Sequence, residues 1–155
     1  MPRLRDTNIY LAIQRPEDRS RVEDMLVLDG INVRVFPSAE ALWDAFRQRP
    51  ARFIISDRRF GNGFGAMELT AQIRSRYPLP YVYIVVLSVL NRMKEVRDAL
   101  AAGVDDYIIK PHNPMQIRSR ILVGLRWLDY IDSITAPEAG GSADPKAADN
   151  PTQAR

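Results

Sequence analysis

The sequence predicts an α/β fold in which a doubly wound parallel sheet of five strands is covered by five helices. Two observations predict it. Short runs rich in β-branched and aromatic residues recur five times, and each is followed by a segment with apolar residues at helical spacing. Because consecutive parallel strands need a crossover connection, usually a helix, this alternation favours a parallel sheet with helices on both faces.

The first two strand and helix pairs occupy the N-terminal third of the chain. The strands are IYLAI at 9–13 and INVRVF at 31–36. Pro16 stands where the first turn of a helix tolerates proline, and Gly30 ends that helix. Ser38 is the expected N-cap of the second helix, because a serine hydroxyl accepts a hydrogen bond from a free backbone N–H.

The remaining elements continue the alternation. In order, they are the strand FIIS at 53–56, a helix at 64–76, the strand YIVVL at 83–87, a helix at 92–102, the strand DYII at 106–109 and a helix at 114–132. The last helix has one apolar stripe, made of Ile117, Ile121, Leu125 and Leu128. We expect this stripe to be buried against the sheet.

Length and composition favour one domain over residues 8–131. The chain has 155 residues, of which 46% are hydrophobic, and this is enough for a single core. Residues 132–155 are rich in Ala, Pro, Gly and Asp and offer almost nothing to bury. We therefore expect a disordered tail or a linker there.

Composition also disfavours several classes of protein. With no cysteine, the chain has no disulfide framework and no thiolate metal site. Its longest apolar stretch, residues 81–90, has about half of the ~20 residues that a membrane helix needs. The net charge is only +3, and the basic residues are spread along the sequence. We expect a cytoplasmic protein with no membrane insertion and no direct nucleic-acid binding.

Three polar residues, Asp57, Ser88 and Lys110, directly follow predicted strands. In open parallel sheets ligands bind beyond the carboxyl ends of the strands, so these side chains are expected to converge. An aspartate accepts a phosphoryl group when nearby cations and donors stabilise the charge, and Lys110 and Ser88 suit those roles. Structural alternatives stay open, with Lys110 as a plain ion-pair partner of Asp57 and Ser88 as a partner of backbone groups.

These residues lie in motifs that resemble the receiver domain of two-component response regulators, which has a flavodoxin-like (CheY-like) topology. The resemblance extends over residues 8–131 and includes the run AAGVDDYIIKP. It implies that Asp57 is the phosphoaccepting aspartate and that Ser88 and Lys110 complete its site. It also implies that Tyr107 is the switch aromatic.

The resemblance implies a function and its partners as well. A receiver accepts a phosphoryl group from a histidine kinase or a phosphotransfer protein, is not itself an enzyme, and contacts a downstream protein through its fourth helix, fifth strand and fifth helix. Leu122, Trp127 and Tyr130 lie outside the main stripe of the last helix. We expect them to contribute to such a contact or to a homodimer.

The loop after the first strand departs from the family pattern. Receivers have an acidic pair at that point, where this chain has Ile13 and Gln14, followed by Arg15. Magnesium prefers oxygen ligands, and the candidates that remain here are Asp57, the backbone carbonyl of Arg59 and the Gln14 amide. We therefore expect magnesium binding to be weak or absent.

Two hypotheses follow from the missing acidic pair. In the first, a guanidinium replaces the metal beside the phosphoaccepting carboxylate; Arg15 is the leading candidate, whereas Arg58 is expected to point to solvent. In the second, the chain is a pseudo-receiver, a binding module that needs neither phosphorylation nor magnesium.

The loop GNGFGA at 61–66 has the glycine spacing of a dinucleotide-binding fingerprint. In that motif the first glycine follows the strand directly, and an acidic residue about 20 positions downstream contacts the ribose. Neither condition holds here, so no dinucleotide cofactor is expected.

Overall fold

The computed structural model of the chain describes residues 7–136. One parallel sheet has the strand order β2-β1-β3-β4-β5. The strands are β1 (Asn8–Ala12), β2 (Asn32–Phe36), β3 (Phe53–Asp57), β4 (Tyr83–Ser88) and β5 (Asp106–Ile109). The helices are α1 (Pro16–Leu28), α2 (Ala39–Gln48), α3 (Ala66–Arg76), α4 (Met93–Ala101) and α5 (Pro114–Thr135). The predicted fold, a doubly wound five-stranded parallel sheet with five helices, is confirmed.

Each face of the sheet has its own hydrophobic core. Alternate residues of β1 illustrate this, because Tyr10 belongs to the core that includes side chains of α2, α3 and α4, whereas Leu11 belongs to the core beneath α1 and α5. Every residue of β3 and β4 is buried. Strands covered on both faces need apolar side chains in both directions, which explains the apolar run of residues 53–55 before Ser56 and Asp57.

The strand order places the site. The chain reverses direction across the sheet between β1 and β3, whose neighbours β2 and β4 lie on opposite sides. Ligands of open α/β sheets bind at this switch point, beyond the carboxyl ends of the strands. Asp57, the last residue of β3, lies at that edge.

Helix α5 is longer than the sequence predicted. It runs to Thr135, so residues 132–135, which were assigned to the tail, are helical. The Asp132 carboxylate explains the extension, since its two oxygens accept hydrogen bonds from the Arg52 guanidinium at 2.6 and 3.1 Å. The rest of the predicted tail, 137–155, lies outside the described residues.

The faces of α5 agree with the expected pattern. The stripe made of Ile117, Ile121, Leu125 and Leu128 is buried, as predicted, and Leu122, Trp127 and Tyr130 are exposed. Although α5 has 22 residues, no helix within residues 7–136 is both long enough and apolar enough to cross a membrane.

Glycine at position 124 allows α5 to approach the sheet closely. A Cβ atom there would lie 2.6 Å from a ring carbon of Phe53 and 2.7 Å from a ring carbon of Tyr83. These two rings stack on one another, with their centroids 5.1 Å apart. Such distances are far below van der Waals contact, so only glycine lets the helix pack on this aromatic pair.

Candidate functional site

Three strand ends bring the predicted site residues to one edge of the sheet. Asp57 ends β3, Ser88 ends β4 and Lys110 follows β5. The backbone N–H of Lys110 donates to the carbonyl of Ser88 at 2.7 Å, and that of Arg58 donates to the carbonyl of Leu87 at 2.8 Å. The strand ends are therefore fixed side by side by main-chain hydrogen bonds, which hold the attached side chains together.

Asp57 is a buried carboxylate that contacts one cation and accepts one backbone hydrogen bond. Lys110 Nζ lies 2.6 Å from its Oδ1, and the backbone N–H of Gln14 donates to its Oδ2 at 2.8 Å. The Lys110 contact is an ion pair that lacks hydrogen-bond geometry, so Oδ1 accepts no hydrogen bond. Lys110 therefore provides the cation that a buried carboxylate requires, and the carboxylate keeps unused acceptor capacity.

Asp57 borders a cavity of about 190 Å³. Its charged lining consists of the one carboxylate and four cationic side chains, those of Arg15, Arg58, Arg59 and Lys110. An excess of positive charge around a small cleft attracts anions and repels cations. The cavity is thus electrostatically suited to an oxyanion.

Ser88 is also buried, and its Oγ accepts a hydrogen bond from the backbone N–H of Leu90 at 3.1 Å. This contact is the structural role that the sequence left open. It uses the hydroxyl only as an acceptor, so the hydroxyl proton is not committed to it. Ser88 can therefore donate a hydrogen bond to an oxygen bound beside it.

The structure does not place Arg15 against Asp57. The Arg15 side chain is 75% exposed, and its Nε lies 4.0 Å from the carboxylate of Asp18 in the first turn of α1. Asp18 lies three residues after Arg15, a spacing that brings two side chains together on the surface of a helix. The expected role of Arg15 as the metal substitute is therefore not met in this arrangement, and Lys110 is the cation at the carboxylate.

Arg58 does not point to solvent as the sequence suggested. Its Nη1 lies 3.0 Å from the backbone carbonyl of Glu95 in α4 and 3.3 Å from the hydroxyl of Tyr107. Tyr107 in turn donates its hydroxyl to the carbonyl of Leu90 at 2.9 Å. The sequence held no signal for this contact, because it joins residues 58, 95 and 107, which only the folded chain brings together.

The glycine-rich loop after β3 has a structural task. A Cβ atom at Gly65 would overlap the carbonyl oxygen of Arg58, which accepts a hydrogen bond from the backbone N–H of Ala66 at 3.0 Å. The backbone N–H of Gly65 donates to Glu68 at 2.9 Å. The loop therefore closes back on the residue after Asp57 and positions it.

The side chains around Asp57 do not suit a divalent metal ion. Magnesium takes oxygen ligands, typically one or two carboxylates with water and phosphate. Asp57 already has Lys110 at one oxygen and the Gln14 N–H at the other, and cationic groups surround it. Across residues 7–136 no group of three or more His, Cys, Asp or Glu side chains is placed to hold a metal.

His112, the single histidine of the chain, lies close to the site. Burial lowers its pKa from the ordinary value, and the charge of Lys110 lowers it further. A neutral imidazole is therefore the favoured form at this position near neutral pH.

Comparison with known proteins adds independent information. The family described as "Response regulator receiver domain" matches residues 14–122. "Response regulator GtcR" of Aneurinibacillus migulanus is 28% identical over 118 residues, which are 76% of this chain and 47% of that protein. "Probable transcriptional regulator ycf27" of Galdieria sulphuraria is 25% identical, over 81% of this chain and 48% of that protein. The chain spans about half the length of these curated relatives.

Solved structures share the fold. A two-component response regulator from Clostridium difficile superposes with a TM-score of 0.71 at 21% identity, covering 78% of this chain and 97% of that one. The chemotaxis protein CheY4 of Vibrio cholerae gives a TM-score of 0.69 at 16% identity, covering 76% of this chain and 97% of that one. At such identities the likeness establishes the architecture alone.

Proposed function

Since the chain belongs to the response regulator receiver domains of two-component signalling, we propose that it accepts a phosphoryl group on Asp57 and signals through protein contacts. The observation that carries the proposal is the buried Asp57 carboxylate, paired with Lys110 at 2.6 Å and bordering a cavity rich in positive charge. In this role the chain is a signalling module and not an enzyme. Its phosphoryl donor is a histidine kinase or a phosphotransfer protein.

The transfer needs little from the protein beyond position and charge. A carboxylate oxygen of Asp57 attacks the phosphorus of an N-phosphorylated imidazole; the P–O bond forms as the P–N bond breaks. The bond electrons stay on the imidazole nitrogen, which takes a proton. Lys110 stabilises the charge on the transferring oxygens, and the Ser88 hydroxyl donates to one of them.

Receiver domains commonly bind Mg²⁺, but the residues around Asp57 do not fit that ion. We assign the balancing of phosphoryl charge to Lys110, whose Nζ lies 2.6 Å from Asp57 Oδ1. An ammonium group stabilises phosphoryl oxygens in the same electrostatic sense as a metal, although it does so with a single charge.

The output surface in this proposal is formed by α4, β5 and α5. Exposed apolar side chains of α4 and α5, those of Leu100, Val123, Trp127 and Tyr130, line a cavity of about 730 Å³ on this side of the molecule. A partner that covers these groups removes apolar surface from water, which favours association. A downstream protein or a second copy of the chain fits this requirement.

One observation favours a second function. Asp57 is already engaged by Lys110 and by the Gln14 N–H, and the acidic pair of the family is replaced by Ile13 and Gln14. A carboxylate stabilised in this way reacts more slowly as a nucleophile. In this reading the chain is a pseudo-receiver that binds its partner without phosphorylation.

Phosphoryl labelling decides between the two functions. The purified chain is incubated with radiolabelled acetyl phosphate, with Mg²⁺ or with a chelator. We expect labelling that the Asp57→Asn variant abolishes and that persists in the chelator. Lys110→Met should lower the labelling rate about 100-fold, because it removes the cation at the attacking carboxylate.

Lys94→Met is the matched control, since it removes the exposed lysine of α4, away from the cavity. It should label at the rate of the unchanged chain. No labelling of the unchanged chain under either condition would reject the phosphoacceptor role and favour the pseudo-receiver. Labelling that disappears only in the chelator would reject the assignment of charge balance to Lys110.

A further inference from the structure

One side chain ties the segment after Asp57 to both α4 and β5. Arg58 Nη1 donates to the Glu95 carbonyl at 3.0 Å and to the Tyr107 hydroxyl at 3.3 Å. The guanidinium carbon lies 5.8 Å from the centre of the Tyr107 ring, within the range of a cation–π contact. A single cation therefore connects the end of β3, helix α4 and strand β5.

Tyr107 is also held from a second side. Its hydroxyl donates to the Leu90 carbonyl at 2.9 Å, and the N–H of the same Leu90 donates to Ser88 Oγ at 3.1 Å. With its proton given to Leu90, the tyrosine hydroxyl can serve Arg58 only as an acceptor. The ring is thus fixed at its hydroxyl by two groups, and rotating it would break both contacts.

We propose that Arg58 is a positioning residue that fixes Tyr107 and helix α4 in one arrangement in the unmodified protein. Its main chain is anchored, because its N–H donates to Leu87 and its carbonyl accepts from Ala66. The side chain therefore reaches across from a fixed base. A guanidinium suits this task because it stays charged and presents several donors in a rigid plane.

The consequence concerns the output surface. Arg58 is the next residue after the proposed phosphoacceptor, so any displacement of the main chain at Asp57 is transmitted to α4 through one side chain. This inference rests on the proposed function only for the use of α4, β5 and α5 as the output surface. The positioning itself is a property of the chain without any phosphoryl group.

Hydrogen–deuterium exchange of the unphosphorylated chain, followed by mass spectrometry, tests the inference. The measured quantity is the exchange rate of peptides covering 90–102, divided by that of peptides covering α1, 16–28. We expect Arg58→Ala to raise this ratio about tenfold, since it removes one hydrogen bond to the Glu95 carbonyl of α4 and one to Tyr107, which in turn holds Leu90. Arg58→Lys should give an intermediate value, because one ammonium cannot reproduce the planar fork.

Arg59→Ala is the matched control, because it removes an exposed arginine from the neighbouring position. It should leave the ratio unchanged. An Arg58→Ala ratio within twofold of the unchanged chain, or equal to that of Arg59→Ala, would overturn the inference. Equal acceleration of both peptide groups would do the same, because it would show general loosening of the fold.

A double variant tests the shared link. Because part of the Arg58 contribution runs through the Tyr107 hydroxyl, Arg58→Ala should raise the ratio by a smaller factor in a Tyr107→Phe background than in the unchanged chain. Additive effects would overturn the claim that Arg58 acts through Tyr107. The assay contains no phosphodonor, so a chain that fails phosphoryl labelling can still satisfy it, and the two proposals fail separately.

Discussion

Two aspartates with little exposed side-chain surface, each paired with a cation, lie at opposite ends of the strands. Asp57 is at the carboxyl end of β3, and Asp105 directly precedes β5. Their side chains are similarly buried, at 6% and 11% exposure, and their ion-pair distances are 2.6 Å to Lys110 and 2.9 Å to Arg74. By burial and charge alone they would be assigned the same role.

Their hydrogen bonds differ. Asp105 accepts from the Ile84 N–H at 2.8 Å, from Arg74 and from the Tyr81 hydroxyl. Arg74 also donates to the backbone carbonyls of Gly103 and Val82. Burial raises the pKa of Asp105, and these donors oppose that rise. The donors to Asp105 come from α3 and from in and just before β4. Its carboxylate therefore joins these elements to the start of β5.

Asp57 accepts one hydrogen bond, from the Gln14 N–H, and its second oxygen has only the Lys110 ion pair. Spare acceptor capacity, more than burial, therefore distinguishes Asp57, the proposed phosphoacceptor, from the structural Asp105. A carboxylate whose acceptors are filled by the fold cannot turn to a ligand without destabilising the protein.

The largest expected effect comes from neutralising each aspartate in turn. Asp105→Asn should lower the free energy of unfolding by about 3 kcal/mol, because it leaves the partly buried Arg74 without its counter-charge. Asp57→Asn should cost less than about 1 kcal/mol, because the amide oxygen still accepts from Gln14 and Lys110 can turn toward the cavity. Urea unfolding followed by circular dichroism measures both. Equal losses of stability in the two variants would contradict the distinction between a structural Asp105 and a dispensable Asp57.

A second carboxylate beside Asp57 should make its surroundings suitable for Mg²⁺. Gln14→Asp introduces one next to the existing site, because the Gln14 N–H lies 2.8 Å from Asp57 Oδ2. Mg²⁺ affinity measured by titration calorimetry should rise about tenfold or more over the unchanged chain, since hard cations bind more tightly as carboxylates are added.

Gln48→Asp, an exposed change at the end of α2, is the control and should leave Mg²⁺ affinity unaltered. If Gln14→Asp also leaves the affinity unaltered, the loss of the acidic pair is not what disfavours the metal.

The smallest effect concerns alkaline pH and only the Asp105 region. Burial and the hydrogen bond to Asp105 raise the pKa of Tyr81 from 10.0 to about 12. The protonated Tyr81 hydroxyl therefore stabilises the folded chain fully below pH 10, and this stabilisation is lost as the pH rises through about 12. Tyr81 is partly exposed, so solvent screening keeps the contribution below about 1 kcal/mol.

The free energy of unfolding is measured between pH 9 and pH 11, where the decline caused by Tyr81 begins. Tyr81→Phe should remove this contribution to the decline. A decline of the same slope in the variant would show that Tyr81 does not titrate as described.

The predictable parts of the molecule are those set by local pattern and topology. The elements follow from apolar spacing, and the meeting of Asp57, Ser88 and Lys110 follows from parallel strands ending at one edge. The direction of long side chains was not predictable, as Arg58 and Arg15 show, because it depends on neighbours far away in sequence.

Two further features were missed for the same reason. The network around Asp105 joins residues 74, 81, 84 and 105, which only the folded chain brings together. The last turn of α5 is held by the contact between Asp132 and Arg52, eighty positions apart. The composition of residues 132–155, rich in small and polar residues, gave no indication of the contact between Asp132 and Arg52.

Gly124 has a consequence for anyone who diversifies this domain. Its missing side chain sets the spacing between α5 and the Phe53–Tyr83 pair, so every substitution there must lift the helix from the sheet. The nearby Leu122 is 39% exposed and does not line the cavity beside Tyr83. A library for new binding specificity can randomise that position, provided that residue 124 is held constant in every member.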